Sequence, residues 1–297
     1  MTPSSDVALR LLTPGDVEEA LVLSTTAGWN QRPEDWRMLL GIAPAGAFAA
    51  VVDRRIVGTA IGIDYDRFGW IAMMLVEPAY RGRGLGARLL EAAIQALPPS
   101  NPIRLDATPL GRPLYQRYGF ADESLLTRHV REPGAAASMA AEGRTRDVRP
   151  VTKAAMTEIV STDRDVFGGD RTAVLEWMAE EGPQYGWFAP ASQDNPPSYC
   201  FGRRGRLFDQ IGPVVAGDDD AATMLVSAAA AAAGDRPTVI DAFDARPSFC
   251  AWLRRAGFGP QRPLFRMRRP PSQAPRAETT PAQPAVHELA ILGPEFA

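Results

Sequence analysis

Apolar residues dominate three short runs, Val7 to Leu12, Ala47 to Val52 and Arg55 to Ile63, the last two separated by the polar pair Asp53-Arg54. Runs of this length predict a strand and, across Asp53-Arg54, a β-hairpin. Between them, apolar spacings of three and four predict helices over Pro14 to Ala27 and Pro33 to Leu40. The run Trp70-Ile-Ala-Met-Met-Leu-Val76 is apolar throughout, has the length of a buried strand and carries no titratable side chain. A glycine-rich turn follows, and then a helix over Leu85 to Ala96. A strand over Ile103 to Asp106, a short helix ending at Phe120 and a strand near Ser124 to Val130 complete the first half.

The turn Arg81-Gly-Arg-Gly-Leu-Gly-Ala87 carries chemistry made mostly of backbone. Gly82, Gly84 and Gly86 let main-chain N–H groups converge without side-chain interference, and the following helix directs its positive dipole end to the same point. Arg81 and Arg83 add charge beside it, although Arg83 is read equally well as a solvated surface residue. Such a turn suits a phosphate or pyrophosphate. The string Gly82-x-Gly84-x-x-Ala87 also fits a dinucleotide fingerprint, with Asp106 near the expected spacing for a ribose-binding acid.

Read from Arg81, the string Arg81-x-x-Gly84-x-Gly86 resembles the pyrophosphate loop of the GNAT superfamily of acyl-CoA-dependent N-acetyltransferases. Leu75-Val76-Glu77-Pro78 resembles the end of that family's fourth strand. Leu114-Tyr115-Gln116-Arg117-Tyr118-Gly119-Phe120 resembles its second signature. A dinucleotide motif normally opens its domain, whereas here two helices and an antiparallel hairpin come first, as in the GNAT order. The resemblance covers residues 6–131.

The second half repeats the first. Ile103-Arg-Leu-Asp106-Ala107, Arg112-Pro113 and Tyr118-Gly119-Phe120 recur as Val239-Ile-Asp241-Ala242, Arg246-Pro247 and Ala256-Gly257-Phe258. Strands near Gly186 to Ala189, Tyr199 to Gly202 and Asp209 to Ala216, with an Ala-rich helix over Asp219 to Ala233, fill the preceding places. Where the first copy has its glycine loop, the second has Ala216-Gly217-Asp218-Asp219-Asp220, and Leu253 stands in the place of Tyr115. Three carboxylates favour the helix N-terminus but repel a pyrophosphate. The expected fold is therefore α/β of the α+β kind: two tandem GNAT-like units, each a mixed, mostly antiparallel sheet flanked by helices. The expected boundaries are a CoA-binding, catalytic unit at 1–134, a linker at 135–146, a degenerate unit at 147–269 and a Pro/Ala-rich tail at 270–297. Within the tail, Glu288 to Leu292 could form a last strand.

The resemblance implies a mechanism. Backbone groups of Met74, Leu75 and Val76 would pair with the pantetheine arm of acetyl-CoA like an extra strand, and an N–H there would polarise the thioester carbonyl. The pyrophosphate would lie on Arg81, Gly82, Arg83, Gly84, Leu85, Gly86 and Ala87. Tyr115 would donate a proton to the departing thiolate, while Tyr118 reads as core. An aliphatic amine is only about a thousandth neutral at pH 7, so supplying it uncharged costs about 4 kcal/mol. The candidates for a base are Asp64, Asp66 and Asp106, each equally readable as a turn or cap residue, and a water chain would serve as well. In GNAT folds the segment between the first two helices lines the acceptor site, which here places Trp29, Asn30 and Gln31 as substrate-binding candidates. Asp241 and Asp244 could add to it if the second unit closes over the first.

Composition narrows the partners. A net charge of −3 argues against a broad nucleic-acid surface despite many arginines, and Lys153 is the only lysine, as in a GC-rich bacterial genome. No apolar run approaches membrane-spanning length, and no leader-like segment opens the sequence. Cys200, Cys250, His129 and His287 are isolated, so neither a disulfide framework nor a metal site is expected. The expectation is a cytoplasmic monomer or homodimer, with no nucleic-acid or membrane partner. It would transfer acetyl from acetyl-CoA to a small-molecule primary amine by direct attack, since no cysteine lies near either motif. The alternatives are a non-catalytic acyl-CoA sensor and a dinucleotide-dependent oxidoreductase.

Overall fold

The computed structural model describes residues 7–134, 147–192, 196–273 and 287–297. The expected linker at 135–146 and the central part of the Pro/Ala-rich tail lie outside the described residues. In the first half, β1 (Ala8–Leu11) leads through a turn in which the Asp16 carboxylate accepts the Thr13 N–H at 2.8 Å into α1 (Val17–Thr26) and α2 (Pro33–Ile42). β2 (Ala47–Val52) and β3 (Arg55–Asp64) form the hairpin. Asp53 and Arg54 both take positive φ (47° and 68°), the backbone twist that a two-residue hairpin turn requires. β4 (Gly69–Val76), α3 (Leu85–Gln95), β5 (Ile103–Ala107), α4 (Arg112–Arg117) and β6 (Ala121–Arg131) follow.

The second half repeats this order. A two-residue β7 (Arg149–Pro150) precedes α5 (Lys153–Phe167) and α6 (Thr172–Glu181), two helices that the sequence reading did not place. β8 (Trp187–Ala189), β9 (Ser198–Arg203) and β10 (Asp209–Ala216) lead to α7 (Asp219–Ala232), β11 (Thr238–Phe243), α8 (Pro247–Arg255), β12 (Gly259–Arg269) and β13 (His287–Ile291).

The two units share one sheet. Its strand order is β1-β2-β3-β4-β5-β12-β6-β11-β13-β10-β9-β8-β7. The strands that close each unit have changed places: β12 pairs with β5, β6 pairs with β11, and β6 and β12 pair antiparallel at the centre. Equivalent residues then make equivalent bridges across the exchange. Arg128 of β6 holds Asp241 of β11 through two bonds of 2.7 Å. Arg266 of β12 holds Asp106 of β5 through two bonds of 2.9 Å. The side chains of Asp241 and Asp106 are fully enclosed and those of Arg128 and Arg266 nearly so. Burial opposes charge on Asp241, yet the Arg128 guanidinium holds its carboxyl below the usual carboxylate range.

Helices cover both faces. Apolar residues of α1, α2, α5 and α6, including Trp36, Leu39, Leu175 and Met178, form one core with Trp70, Tyr199 and Phe296. On the other face, α3 and α4 pack over the first unit through Leu85, Leu89 and Tyr115, and α7 and α8 over the second through Leu225, Phe249 and Leu253. Because one core joins helices of both units, neither unit closes its interior alone. Removing one member of a buried ion pair leaves an uncompensated charge. Asp241→Ala is therefore expected to lower the free energy of unfolding by about 3–5 kcal/mol. The double substitution Arg128→Met with Asp241→Leu should recover most of that loss, and denaturant melts of the three chains measure both values.

Candidate active site

β4 and β5 are parallel neighbours only at their beginnings, where Gly69 faces Ile103 and Trp70 faces Arg104. Beyond that point the strands part. The cause lies in β4, whose pairing with β3 shifts between Thr59 and Ile61, opposite Met73. Met73 takes a φ of 50°, an uncommon conformation for a residue with a side chain, and its carbonyl is pinned by the Thr59 hydroxyl at 2.8 Å. The bulge turns the rest of β4 away from β5. Met74 to Val76 and Leu105 to Ala107 thus border a wedge with no ladder between them, and Met74 and Val76 are only half-buried.

The glycine loop stands at the wide end of this wedge. Gly82 and Gly84 take φ of 74° and 77°, with no atom within 4 Å of an added Cβ, so conformation rather than space demands glycine there. Gly84 caps α3 and no side chain bonds its first turn, leaving those N–H groups directed outward. The Arg81 Nε donates to the Val76 carbonyl at 3.0 Å, the Arg83 guanidinium lies 5.2 Å from the Tyr80 ring centre, and both arginines are exposed. An extended amide-bearing arm and a pyrophosphate fit these residues: unpaired strand edges for the first, open N–H groups and two cations for the second.

Tyr115 enters from α4, whose Leu114 comes within 3.7 Å of a Cβ placed on Gly86. The Tyr115 ring packs edge-on to Phe120 at 6.0 Å and the residue is 8% exposed. Among the described residues nothing bonds its hydroxyl, and burial raises that hydroxyl's pKa above the ordinary tyrosine range. Tyr118, read as core, is partly exposed and clips α4 to α3 through Glu91 at 2.6 Å.

The other candidates separate. Asp106 has both oxygens committed to Arg266, so it is not available as a base. Asp64 faces Gly69 at the narrow end of the wedge, the far end of β4 from the glycine loop; Asp66, two residues on, donates its N–H to the Asp64 carboxylate in the same turn. Asn30 is buried and spends its amide on the 207–208 backbone, accepting from Leu207 and Phe208 and donating to the Phe208 carbonyl. Gln31, also buried, donates to Glu295 at 3.0 Å. These two side chains join the units, a use that local sequence could not reveal because the partners come from the other half. Trp29 remains partly exposed, with its carbonyl accepting from Arg206. Asp241 is sealed against Arg128 and Gln210, while Asp244 is exposed.

A cavity of about 220 Å³ lies beside the end of β4, apart from Asp64, Asp106, Asn30 and Gln31. Its walls are Val22, Leu23 and Thr26 of α1 with Leu75 and Val76 of β4, and it includes Glu19, Arg55, Glu77 and Arg81. One Glu77 oxygen has no hydrogen-bond partner among the described residues, although Arg55 approaches it at 3.5 Å. Glu19 accepts the Ile56 N–H at 2.8 Å. In the sequence Glu77 marks only the end of the fourth strand, and nothing local to Val76-Glu77-Pro78 shows that α1 closes a cavity over it. Among the described residues no cluster of histidine, cysteine or carboxylates could hold a metal, and no helix is long and apolar enough to cross a membrane.

Known proteins of this kind are recognisable in both halves. A sequence model of the acetyltransferase (GNAT) domain matches residues 44–122, and a second model of the same description matches residues 159–280. The uncharacterized N-acetyltransferase YitH of Bacillus subtilis is 26% identical over 125 residues, 38% of this chain and 39% of that protein. YafP of Escherichia coli, also an uncharacterized N-acetyltransferase, is 24% identical over 130 residues, 39% of this chain and 82% of that protein. The match therefore spans well under half of the Bacillus subtilis relative. A crystal structure from Pyrococcus horikoshii superposes with a TM-score of 0.76 at 22% identity, covering 99% of this chain and 97% of that one. A tandem GNAT protein from the clavulanic acid biosynthesis pathway gives a TM-score of 0.61 at 12% identity, covering 89% and 98%. With the wedge, the glycine loop and the repeated topology, these likenesses establish that the chain belongs to the GNAT acetyltransferase superfamily and carries two of its units in tandem.

Proposed function

We propose that the first unit transfers the acetyl group of acetyl-CoA to the primary amine of a small molecule by direct attack. The observation that carries this reading is that one unit combines an uncapped glycine loop, a strand edge that no described strand pairs and a tyrosine hydroxyl with no hydrogen-bond partner among the described residues. Acetyl-CoA supplies an activated acetyl carbonyl and a thiolate leaving group. The N–H groups of residues 81–87, the dipole of α3 and the charges of Arg81 and Arg83 would hold its pyrophosphate. The backbone of Met74 to Val76 would hold its extended arm and offer an N–H to the carbonyl oxygen. Tyr115 keeps a proton at its hydroxyl for the departing sulfur.

The α1–β4 cavity suits the acceptor. Val22, Leu23 and Leu75 give it apolar walls, and Glu19 and Glu77, beside Arg55 and Arg81, give it carboxylates that would hold an ammonium group. Glu77, one of whose oxygens has no hydrogen bond among the described residues and lies 3.5 Å from Arg55, would take the proton that attack requires. Cys200 and Cys250 are buried in the second unit, far along the chain from this loop, which favours direct transfer over an acyl-cysteine route.

Thiol release from acetyl-CoA across a panel of polyamines, amino acids, aminoglycosides and peptides tests the reading, and tight acetyl-CoA binding with no turnover on any of them would reassign the site to binding alone. Tyr115→Phe is expected to leave stability within about 0.5 kcal/mol, since its hydroxyl has no hydrogen-bond partner among the described residues to lose. The same change should lower kcat by about 10²-fold or more. Because burial holds the Tyr115 proton above the ordinary range, kcat/KM should rise with pH as the acceptor amine deprotonates and show no falling limb up to about pH 10. A falling limb near pH 9 would remove Tyr115 as the acid. Glu77→Gln should lower kcat about 10²-fold or more through loss of the proton acceptor, raise KM for a cationic amine by up to about fivefold, the scale of one partly screened charge contact, and leave KM for acetyl-CoA within twofold.

A further inference from the structure

The second unit contains the same wedge, with an occupant. β10 and β11 pair in parallel only where Asp209 faces Thr238 and Gln210 faces Val239, the same two-residue start as in the first unit. A bulge between Ile211 and Val214 then turns β10 aside, in the position that Met73 holds in β4. Into the gap runs β13, antiparallel to both neighbours. Ala290 faces Val214 and Glu288 faces Val215 on one side, and Ile291 faces Asp241 and Ala290 faces Ala242 on the other. Val214 to Ala216 are the counterparts of Met74 to Val76, the backbone proposed above to hold an extended arm.

We infer that the second unit's cofactor cleft has become a receptor for the chain's own 287–297 segment, and that the seated segment straps the two units together. This rests on the cleft reading of the first unit. Three observations support the change of use. Gly212 takes a φ of 151°, and a Cβ there would lie 1.9 Å from the Ile291 carbonyl oxygen, so the bulge carries the residue that strand entry demands. Leu289, Ala290, Ile291 and Leu292 are almost fully buried and contribute to the cores on both faces. The helix end that would face a pyrophosphate is already satisfied: the Asp218 carboxylate accepts the Ala221 N–H at 2.8 Å, and Asp219 and Asp220 follow in the first turn. In α3 the corresponding N–H groups have no such cap.

Within its own unit the segment is anchored where Glu288 bonds Arg171 at 2.9 Å and lies 3.7 Å from Arg266 of β12. Past β13, the Pro294 carbonyl accepts from the Trp70 indole at 3.1 Å and the Phe296 carbonyl from the Tyr65 hydroxyl at 2.8 Å. Glu295 is buried and takes Gln31 of the first unit together with Arg203 of β9. A segment gripped by one unit's cleft thus fixes the β3–β4 hairpin and the α1–α2 connection of the other.

Hydrogen exchange read by mass spectrometry tests the inference on the full chain. Peptides from 287–297 should be as protected as those from β10, with exchange unchanged within twofold at saturating acetyl-CoA. Faster exchange of these peptides on adding acetyl-CoA would mean that the cleft still takes the cofactor, and would overturn the inference. Gly212→Val should speed exchange at least tenfold in 287–297 and in the segments around Gln31 and Tyr65 to Trp70, while α3 stays protected. Loosening of 287–297 without change around Gln31 and Trp70 would overturn the strap. Should Gly212→Val fail to fold, Gln31→Ala reports the same strap from its other end, by faster exchange in 293–297 only. These readouts need no turnover, so a chain that binds but never acetylates an amine would defeat the proposed reaction and leave the strand receptor to be judged on exchange.

Discussion

A parallel pair of strands that diverges leaves two rows of backbone N–H and C=O groups without partners, and buried backbone groups must be paired. The fold meets this constraint twice because the bulged strand occurs twice, at Met73 and at Gly212-Pro213. In the second unit β13 satisfies both edges. In the first, the edge of Met74 to Val76 faces a wedge that no described strand enters. The contrast between a filled and an open cleft in one molecule is what makes the first the candidate site, more than any single side chain in it.

The exchange of β6 and β12 determines how far the two clefts depend on each other. Each wedge is bordered by a strand, β5 or β11, whose outer neighbour comes from the other unit. The bridges Arg128–Asp241 and Arg266–Asp106 fix that neighbour's register with buried charge. A buried pair of this kind contributes little net stability, but the wrong register would bury both charges unpaired, so it favours one alignment over its alternatives. Duplication therefore produced a shared sheet rather than two beads on a linker.

Much of this was legible in the sequence because it is encoded locally. The hairpin at Asp53-Arg54, the glycine loop and Tyr115 each depend on residues close together in the chain, and the repeat around Asp106 and Asp241 announced the second unit. What escaped is encoded at long range. Asn30 and Gln31 look like a polar acceptor loop until Phe208 and Glu295 arrive from the other half to consume their amides. Asp106 looks like a free carboxylate at a strand end until an exchanged strand brings Arg266 to it. Helices α5 and α6 bury their apolar faces in a core that both units build, and their own patterns did not mark them in the sequence reading.

If one cleft is open to acetyl-CoA and its equivalent is filled by the chain itself, the molecule has a single cofactor site. Calorimetric titration of the chain with acetyl-CoA should then saturate at one equivalent per chain, and substitution in the glycine loop at Gly84 should abolish binding. Two equivalents per chain, or one that survives disruption of that loop, would overturn this assignment of the clefts.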